Sequence, residues 1–206
     1  QAELICDAKN MMTVSVDAME SFFCDMKHDR KYFTYLTEEV PRVAQTLFHS
    51  SPRREDNFIM GMSMGAHGAM KAALRCPEKY AAVMAISGAK DQVKMRKLAE
   101  ERGIKASYDA IDDAFGPAQE LPGSENDLMY LAEALAKSGK EAPMLYTACG
   151  TEDYGLALCR EFHEHLDRCG LKNEFITMPG KHDYFFANRV LEHTVNNLFQ
   201  IREDVL

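Results

Sequence analysis

The chain has 206 residues, 46% of them hydrophobic, and carries a formal net charge of -8. That acidic balance lacks the basic footprint a nucleic-acid or anionic-membrane partner requires, and no apolar run reaches the length of a transmembrane helix. One domain with one sizeable core is expected, acting on a small or neutral substrate.

Gln1 to Lys9 reads as the end of a helix, with Lys9 and Asn10 as its stop. Met12 to Val16 is rich in β-branched residues and is expected to be a strand. Asp17 to Asp29 follows as a loop whose aromatics Phe22 and Phe23 are candidates for a substrate-pocket wall, with packing under the loop as the competing role. Thr37 to Phe48 shows an apolar face of Val40, Val43, Ala44 and Leu47, and a cap at Thr37 would leave Pro41 in the tolerated first turn. Ser50 to Asp56 is a charged loop.

The stretch Asn57 to Met70, NFIMGMSMGAHGAM, is the organising element. Phe58, Ile59 and Met60 form a short apolar run, and Gly61, Ser63 and Gly65 complete G-x-S-x-G. This pattern marks a strained strand-to-helix turn that lifts a serine hydroxyl above the end of a sheet. Gly61 and Gly65 are expected to let strand and helix approach closely. The helix that follows aims its amino end at Ser63, so the Met64 N–H is the candidate donor to a developing oxyanion. At a glycine usage of about 7% the motif arises by chance in only a few per cent of chains this long. A flexible glycine turn with a capping serine is the bland alternative. The apolar strand before the motif and the alanine-rich pattern after it favour the chemical reading.

Tyr80 to Ser87 is the next strand. Ala89 to Lys140 breaks the regular alternation and reads as a cap-like insertion ending in a helix from Ser124 to Ser138, with Ser124 and Asp127 resembling a capping box. Pro143 to Cys149 is a strand, Gly155 to Cys169 a helix, Asn173 to Met178 a strand, and Tyr184 to Ile201 a closing helix. Strands alternating with helices at this spacing define an α/β protein with a mainly parallel sheet.

A serine hydroxyl becomes a nucleophile when a base takes its proton, and the base needs a carboxylate to fix its tautomer. Of the seven histidines, His182 alone follows a strand directly in a glycine loop, PGKHD. His163 and His165 lie two apart on a helix and face different ways, which disfavours a metal pair; His193 falls in the terminal helix, His28 and His49 read as surface residues, and His67 as a packing or supporting residue. Asp153, after the strand Pro143 to Cys149, is the preferred acid and gives the order Ser63, Asp153, His182; Glu152 and Asp183 compete. Met62 and Tyr184 join Phe22 and Phe23 as candidate substrate-binding residues. The cysteines Cys6, Cys24, Cys76, Cys149, Cys159 and Cys169 show no C-x-x-C spacing, so reduced thiols and a cytoplasmic setting are expected.

The stretches DMKHDRKYFTYLTEEVPRV, NFIMGMSMGAHGAMKAALRCPEKYAAVMAISGA, ACGTEDY and PGKHDYF resemble the esterase D family of α/β-hydrolases, and the similarity runs over nearly the whole chain. That family includes S-formylglutathione hydrolases, tributyrin-type and acetyl-xylan or feruloyl esterases and, more distantly, mycolyltransferases; the resemblance is closest to small bacterial carboxylesterases. It implies Ser63 as nucleophile, Asp153 as acid, His182 as base, an ester or thioester substrate, and no metal or organic cofactor. Val16-Asp17-Ala18 departs from the family's Pro-Asp-Gly, and Tyr184 from its tryptophan, which puts substrate identity in doubt. In this family the strand with the second oxyanion donor precedes the helix at which the sequence opens and lies between Met12 to Val16 and Phe58 to Met62. The expectation is therefore a natural polypeptide longer at its amino end, which leaves secretion open. A serine esterase acting on short acyl groups is the leading reading. Thioester hydrolysis or acyl transfer shares the same residues, a non-catalytic binding module of the same fold is the alternative of another class, and self-association as a homodimer or larger homo-oligomer is left open.

Overall fold

The computed structural model describes residues 2–26 and 30–201. His28 and the end of the Asp17 to Asp29 loop fall outside them. Helix α1 spans Ala2–Asp7, and the chain then runs extended past Met12 to Val16 without joining the sheet. The strand expected there is not formed. Branched side chains favour an extended backbone, but a strand also needs a neighbour to take its N–H and C=O groups. This segment instead forms one wall of a cleft of about 1430 Å3 whose opposite wall includes Phe58 to Met62.

The next helical run is continuous but irregular: α2 at Tyr32–Thr34, a π-helical turn at Tyr35–Glu39, and α3 at Val40–Phe48. Asp25 caps its start, accepting from the Phe33 and Thr34 N–H groups at 2.9 and 3.0 Å. The expected cap at Thr37 is absent, because Thr37 is buried inside the run and its hydroxyl donates to the Phe33 carbonyl. Pro41 is thereby placed in the helix interior, where it cannot donate to the Thr37 carbonyl one turn back. The π turn absorbs the proline, and Lys79 Nζ donates to the Thr37 carbonyl at 2.8 Å.

The sheet has four parallel strands in sequential order: β1 Phe58–Met62, β2 Ala82–Ile86, β3 Met144–Gly150 and β4 Asn173–Met178. Its register aligns Gly61 with Ala85, Ala85 with Thr147, and Thr147 with Phe175. β2 is buried throughout and β3 nearly so, whereas β1 and β4 are partly exposed edges. Helix α4 (Met64–Arg75) follows β1, and α5 (Gln92–Glu101) and α6 (Lys105–Phe115) follow β2. They are succeeded by α7 (Leu128–Ser138), α8 (Leu156–Arg168) and α9 (Tyr184–His193), the last continued by a π-helical turn at Thr194–Leu198.

Burial divides the core between the two faces. On one face Met70 and Leu74 of α4, Leu131 and Leu135 of α7, and Phe162 and Leu166 of α8 pack on Val83 and Leu145. On the other, Phe186 and Val190 of α9 pack on Met84, Ile86 and Tyr146. Helices cover both sides of a parallel sheet, as the alternation in the sequence predicts. Within residues 89–140, α5 and α6 form their own cluster around Met95, Ala99 and Ile111, while α7 belongs to the main core. The capping box predicted at Ser124 does not start that helix. Asp127 caps it, accepting from the Met129 N–H at 3.0 Å.

Candidate active site

The sheet delivers three side chains to one end. Ser63 terminates β1 with φ 55° and ψ -115°, outside the regions a residue with a Cβ prefers. Its N–H donates to the Ile86 carbonyl at 2.8 Å, which ties the turn to β2. The close approach expected at the motif is real at Gly61, where a Cβ would lie 2.3 Å from the Gly65 backbone. It is not required at Gly65, where a Cβ would meet nothing within 4 Å. The second enforced glycine is Gly88 at the end of β2, where a Cβ would fall 1.9 Å from the Ser63 carbonyl oxygen.

His182 lies in the loop after β4, and its Nε2 is 2.9 Å from Ser63 Oγ. Its Nδ1 is 2.8 Å from Asp153 Oδ2. Asp153 Oδ1 accepts the Gly155 N–H at 2.7 Å, so both carboxylate oxygens are engaged. The Asp153 side chain is fully buried while His182 stays 22% exposed. Burial alone pushes the Asp153 carboxyl up, but hydrogen bonds from His182, Gly155 and Ser87, together with the imidazole's charge, outweigh it and hold the group down at about 2. Its rivals are placed elsewhere: Glu152 is exposed, and Asp183 caps α9 through the Phe186 N–H. The Glu152 backbone N–H donates to the Gly180 carbonyl at 2.9 Å, linking the loops that carry acid and base.

Met64 is the first residue of α4, so its N–H lies ahead of the helical hydrogen-bond ladder, directly after Ser63 in the chain. A cavity of about 220 Å3 opens next to Ser63 and Met64, lined by Phe22, Lys90, Gln92, Met95, Ile111 and Tyr154 among others. Of the candidate substrate-binding residues, only Phe22 is there. Phe23 turns into the core, where its ring would be 2.4 Å from a Cβ on Gly68. Met62 lines the larger cleft on the other side of β1, and Tyr184 projects outward, 81% exposed. Phe22 and Phe23 both adopt positive φ, which sends the two neighbouring rings in different directions. Alternation along a loop sequence cannot reveal such a turn.

The sequence reading missed Tyr154, whose ring centre is 5.5 Å from that of His182, and Lys90, a buried residue of the same cavity lining. Tyr154 directly follows the acid, a position that could have signalled it. His67 is fully buried between Phe22 and Phe115, with Nδ1 3.3 Å from Gln92 Nε2. It packs beneath the cavity without entering it. His163 pairs with Asn173 and His165 with the Met129 carbonyl. Among the described residues no cluster of three or more histidine, cysteine or acidic side chains is gathered to hold a metal ion.

Residues 18–184 match the family model described as "Putative esterase". The chain belongs to this family. It is 28% identical over 173 residues to an acetyl esterase of Caldicellulosiruptor saccharolyticus, covering 83% of this chain and 65% of that protein. It is also 30% identical to an S-formylglutathione hydrolase of Bos taurus, covering 71% of this chain and 49% of the relative. The chain thus spans from about half to just under two thirds of the length of these two curated relatives. Among solved structures, FphF, a fluorophosphonate-binding serine hydrolase of Staphylococcus aureus, superposes with a TM-score of 0.83 at 25% identity, covering 94% of this chain and 73% of that one. The S-formylglutathione hydrolase FrmB of the same organism gives a TM-score of 0.81 at 26% identity, covering 94% and 74%. These likenesses identify the architecture as the α/β-hydrolase fold, the class the sequence implies.

Proposed function

We propose that this member of the esterase family is a serine carboxylesterase hydrolysing short-chain acyl esters through an acyl-enzyme. The observation that carries the reading is the relay from Ser63 Oγ to His182 Nε2 at 2.9 Å and from His182 Nδ1 to Asp153 Oδ2 at 2.8 Å. His182 takes the Ser63 proton as the hydroxyl oxygen attacks the ester carbonyl, and the Met64 N–H receives charge on the carbonyl oxygen. His182 then protonates the departing alcohol. Water deprotonated by the same imidazole cleaves the acyl-enzyme and regenerates Ser63. Asp153, ionised and buried, fixes the tautomer that leaves Nε2 free to accept. The cavity beside Ser63, about 220 Å3, suits a short acyl group.

Thioester hydrolysis is the second reading, supported by the likeness to S-formylglutathione hydrolases. We assign the protein to the cytoplasm; its cysteines, all six free, fit a reducing compartment. The test is hydrolysis of 4-nitrophenyl esters of increasing acyl length by the wild type, Ser63→Ala, Asp153→Asn and Glu152→Gln. The expected outcome is turnover that falls with acyl length, is abolished by Ser63→Ala, drops on the order of 10³- to 10⁴-fold in Asp153→Asn and is retained in Glu152→Gln. Turnover that survives Ser63→Ala would overturn the assignment.

A further inference from the structure

The cavity beside Ser63 is lined by a basic residue that the relay does not use. Lys90, in the turn between β2 and α5, lines it and is only 5% exposed. Its Nζ donates to the Ser87 carbonyl at 2.9 Å and stands 6.0 Å from the centre of the Tyr154 ring. Among the described residues no carboxylate comes within 4.0 Å of it. Asp153 is near: a Cβ on Gly155 would meet Lys90 Nζ at 2.7 Å and Asp153 Oδ1 at 3.3 Å. That carboxylate is already committed to His182 and the Gly155 N–H. Glu20 also lines the cavity but is exposed, so water screens it. Lys90 is therefore a buried lysine with one carbonyl partner and donors to spare, on a cavity wall shared with the apolar side chains Phe22, Met95, Ala110 and Ile111 and the polar Gln92 and Ser107.

We propose that the cavity recognises a carboxylate carried by the ester substrate itself, with Lys90 as its cationic partner and the apolar walls holding the carbon chain between carboxylate and scissile carbonyl. The inference rests on the esterase reading and narrows its substrate class to esters or thioesters bearing a carboxylate on one side of the reacting bond. It also departs from the neutral substrate that the net charge of -8 suggests, since a local buried cation outweighs a screened global field.

Two measurements test it. The first is binding of monomethyl glutarate and of methyl valerate to the Ser63→Ala protein by calorimetry, repeated with Lys90→Met and Lys90→Arg added. The acid-bearing ester is expected to bind more tightly, to lose about 10- to 100-fold with Met, and to recover part of that with Arg. The second is the ratio of kcat/KM for charged and neutral partners in two arms. The acyl arm compares 4-nitrophenyl hemiglutarate with 4-nitrophenyl valerate, and the leaving-group arm compares 3-carboxyphenyl with phenyl butyrate. A fall of at least about 10-fold in the ratio with Lys90→Met in one arm supports the proposal and locates the carboxylate. A ratio unchanged in both arms, with charged and neutral esters slowed alike, would overturn it and make Lys90 a positioning residue for Asp153. Lys90-dependent binding of monomethyl glutarate by a protein that turns over none of the esters would uphold the carboxylate site and sink the esterase reading instead.

Discussion

Ser63 is held in a conformation that costs about 1–3 kcal/mol for a residue with a Cβ, and the side chains its neighbours lack are what permit it. Gly61 lies under the first turn of α4, and Gly88 under the Ser63 carbonyl. In both places the nearest obstructing atom is backbone and cannot swing aside. Gly65 belongs to the same motif but faces the larger cleft and has open space at its Cβ position. Gly61→Ala is therefore expected to destabilise by about 3 kcal/mol, a fall in Tm of roughly 6–12 °C for a domain of this size. Gly65→Ala should leave Tm unchanged or raise it slightly, because alanine is the better helix former. Differential scanning fluorimetry of the pair checks this, and equal losses in both would mean that the motif is needed for backbone freedom and not for the approach of strand and helix. The convergence of Ser63, Asp153 and His182 was legible from strand-end position and chain order. Phe23 and Tyr184 lie away from the cavity beside Ser63, because positive φ in one case and outward projection in the other are decided by the tertiary course of a loop.

At the scale of the element, α4 carries an unusual burden. Its buried face includes two groups that titrate, His67 and Lys71, both fully buried. Lys71 Nζ donates to Asn126 Oδ1 at 2.5 Å and lies 4.4 Å from the centre of the Phe33 ring. Among the described residues His67 Nε2 has no hydrogen-bond partner. Burial, with a smaller push from the Lys71 charge, lowers the His67 imidazole to about 3. The unfolded chain takes up that proton near pH 6.5 whereas the folded chain resists it until about pH 3, so the unfolded state binds more protons across this window. Stability must fall as pH drops through it, by up to about 1.4 kcal/mol per pH unit. Asp153 works in a separate window: its contribution is complete above 3.8 and lost as pH falls towards about 2. Urea denaturation at pH 7 and pH 4.5 is expected to show a loss in the wild type that shrinks by about 2–3 kcal/mol in His67→Gln. The same loss in both proteins would show that His67 is not the group responsible. The helix around Thr37 carries a different lesson. The sequence placed Pro41 in a first turn, but the chain starts its helix earlier, at Asp25's cap, and accommodates the proline with a π turn. Local propensity cannot report an accommodation that Lys79, far along the chain, completes from outside.

At the scale of the molecule, a four-stranded parallel sheet brings the segments carrying Ser63, Asp153 and His182 to the carboxyl ends of β1, β3 and β4. The alternation of apolar strands and amphipathic helices made that architecture readable, and Asn173–Met178 emerged with the predicted bounds. Met12 to Val16 did not become a strand, because pairing is a property of two segments and periodicity describes one. The segment and β1 face one another across the cleft of about 1430 Å3, and the edge of β1 on that side is unpaired within the sheet. The cavity next to Ser63 drew on residues from the 17–25 loop, the β2 exit, α5, α6 and the acid loop, and no single stretch of sequence contained its pattern. Lys90 was invisible for that reason, since its place on the cavity wall is set only in three dimensions.

The central claim is that Ser63 is an activated nucleophile, and intact-mass analysis after fluorophosphonate treatment addresses it most directly. One covalent adduct is expected, mapped to Ser63 and absent from Ser63→Ala. A folded protein that forms no adduct, or one labelled equally after Ser63→Ala, would contradict it.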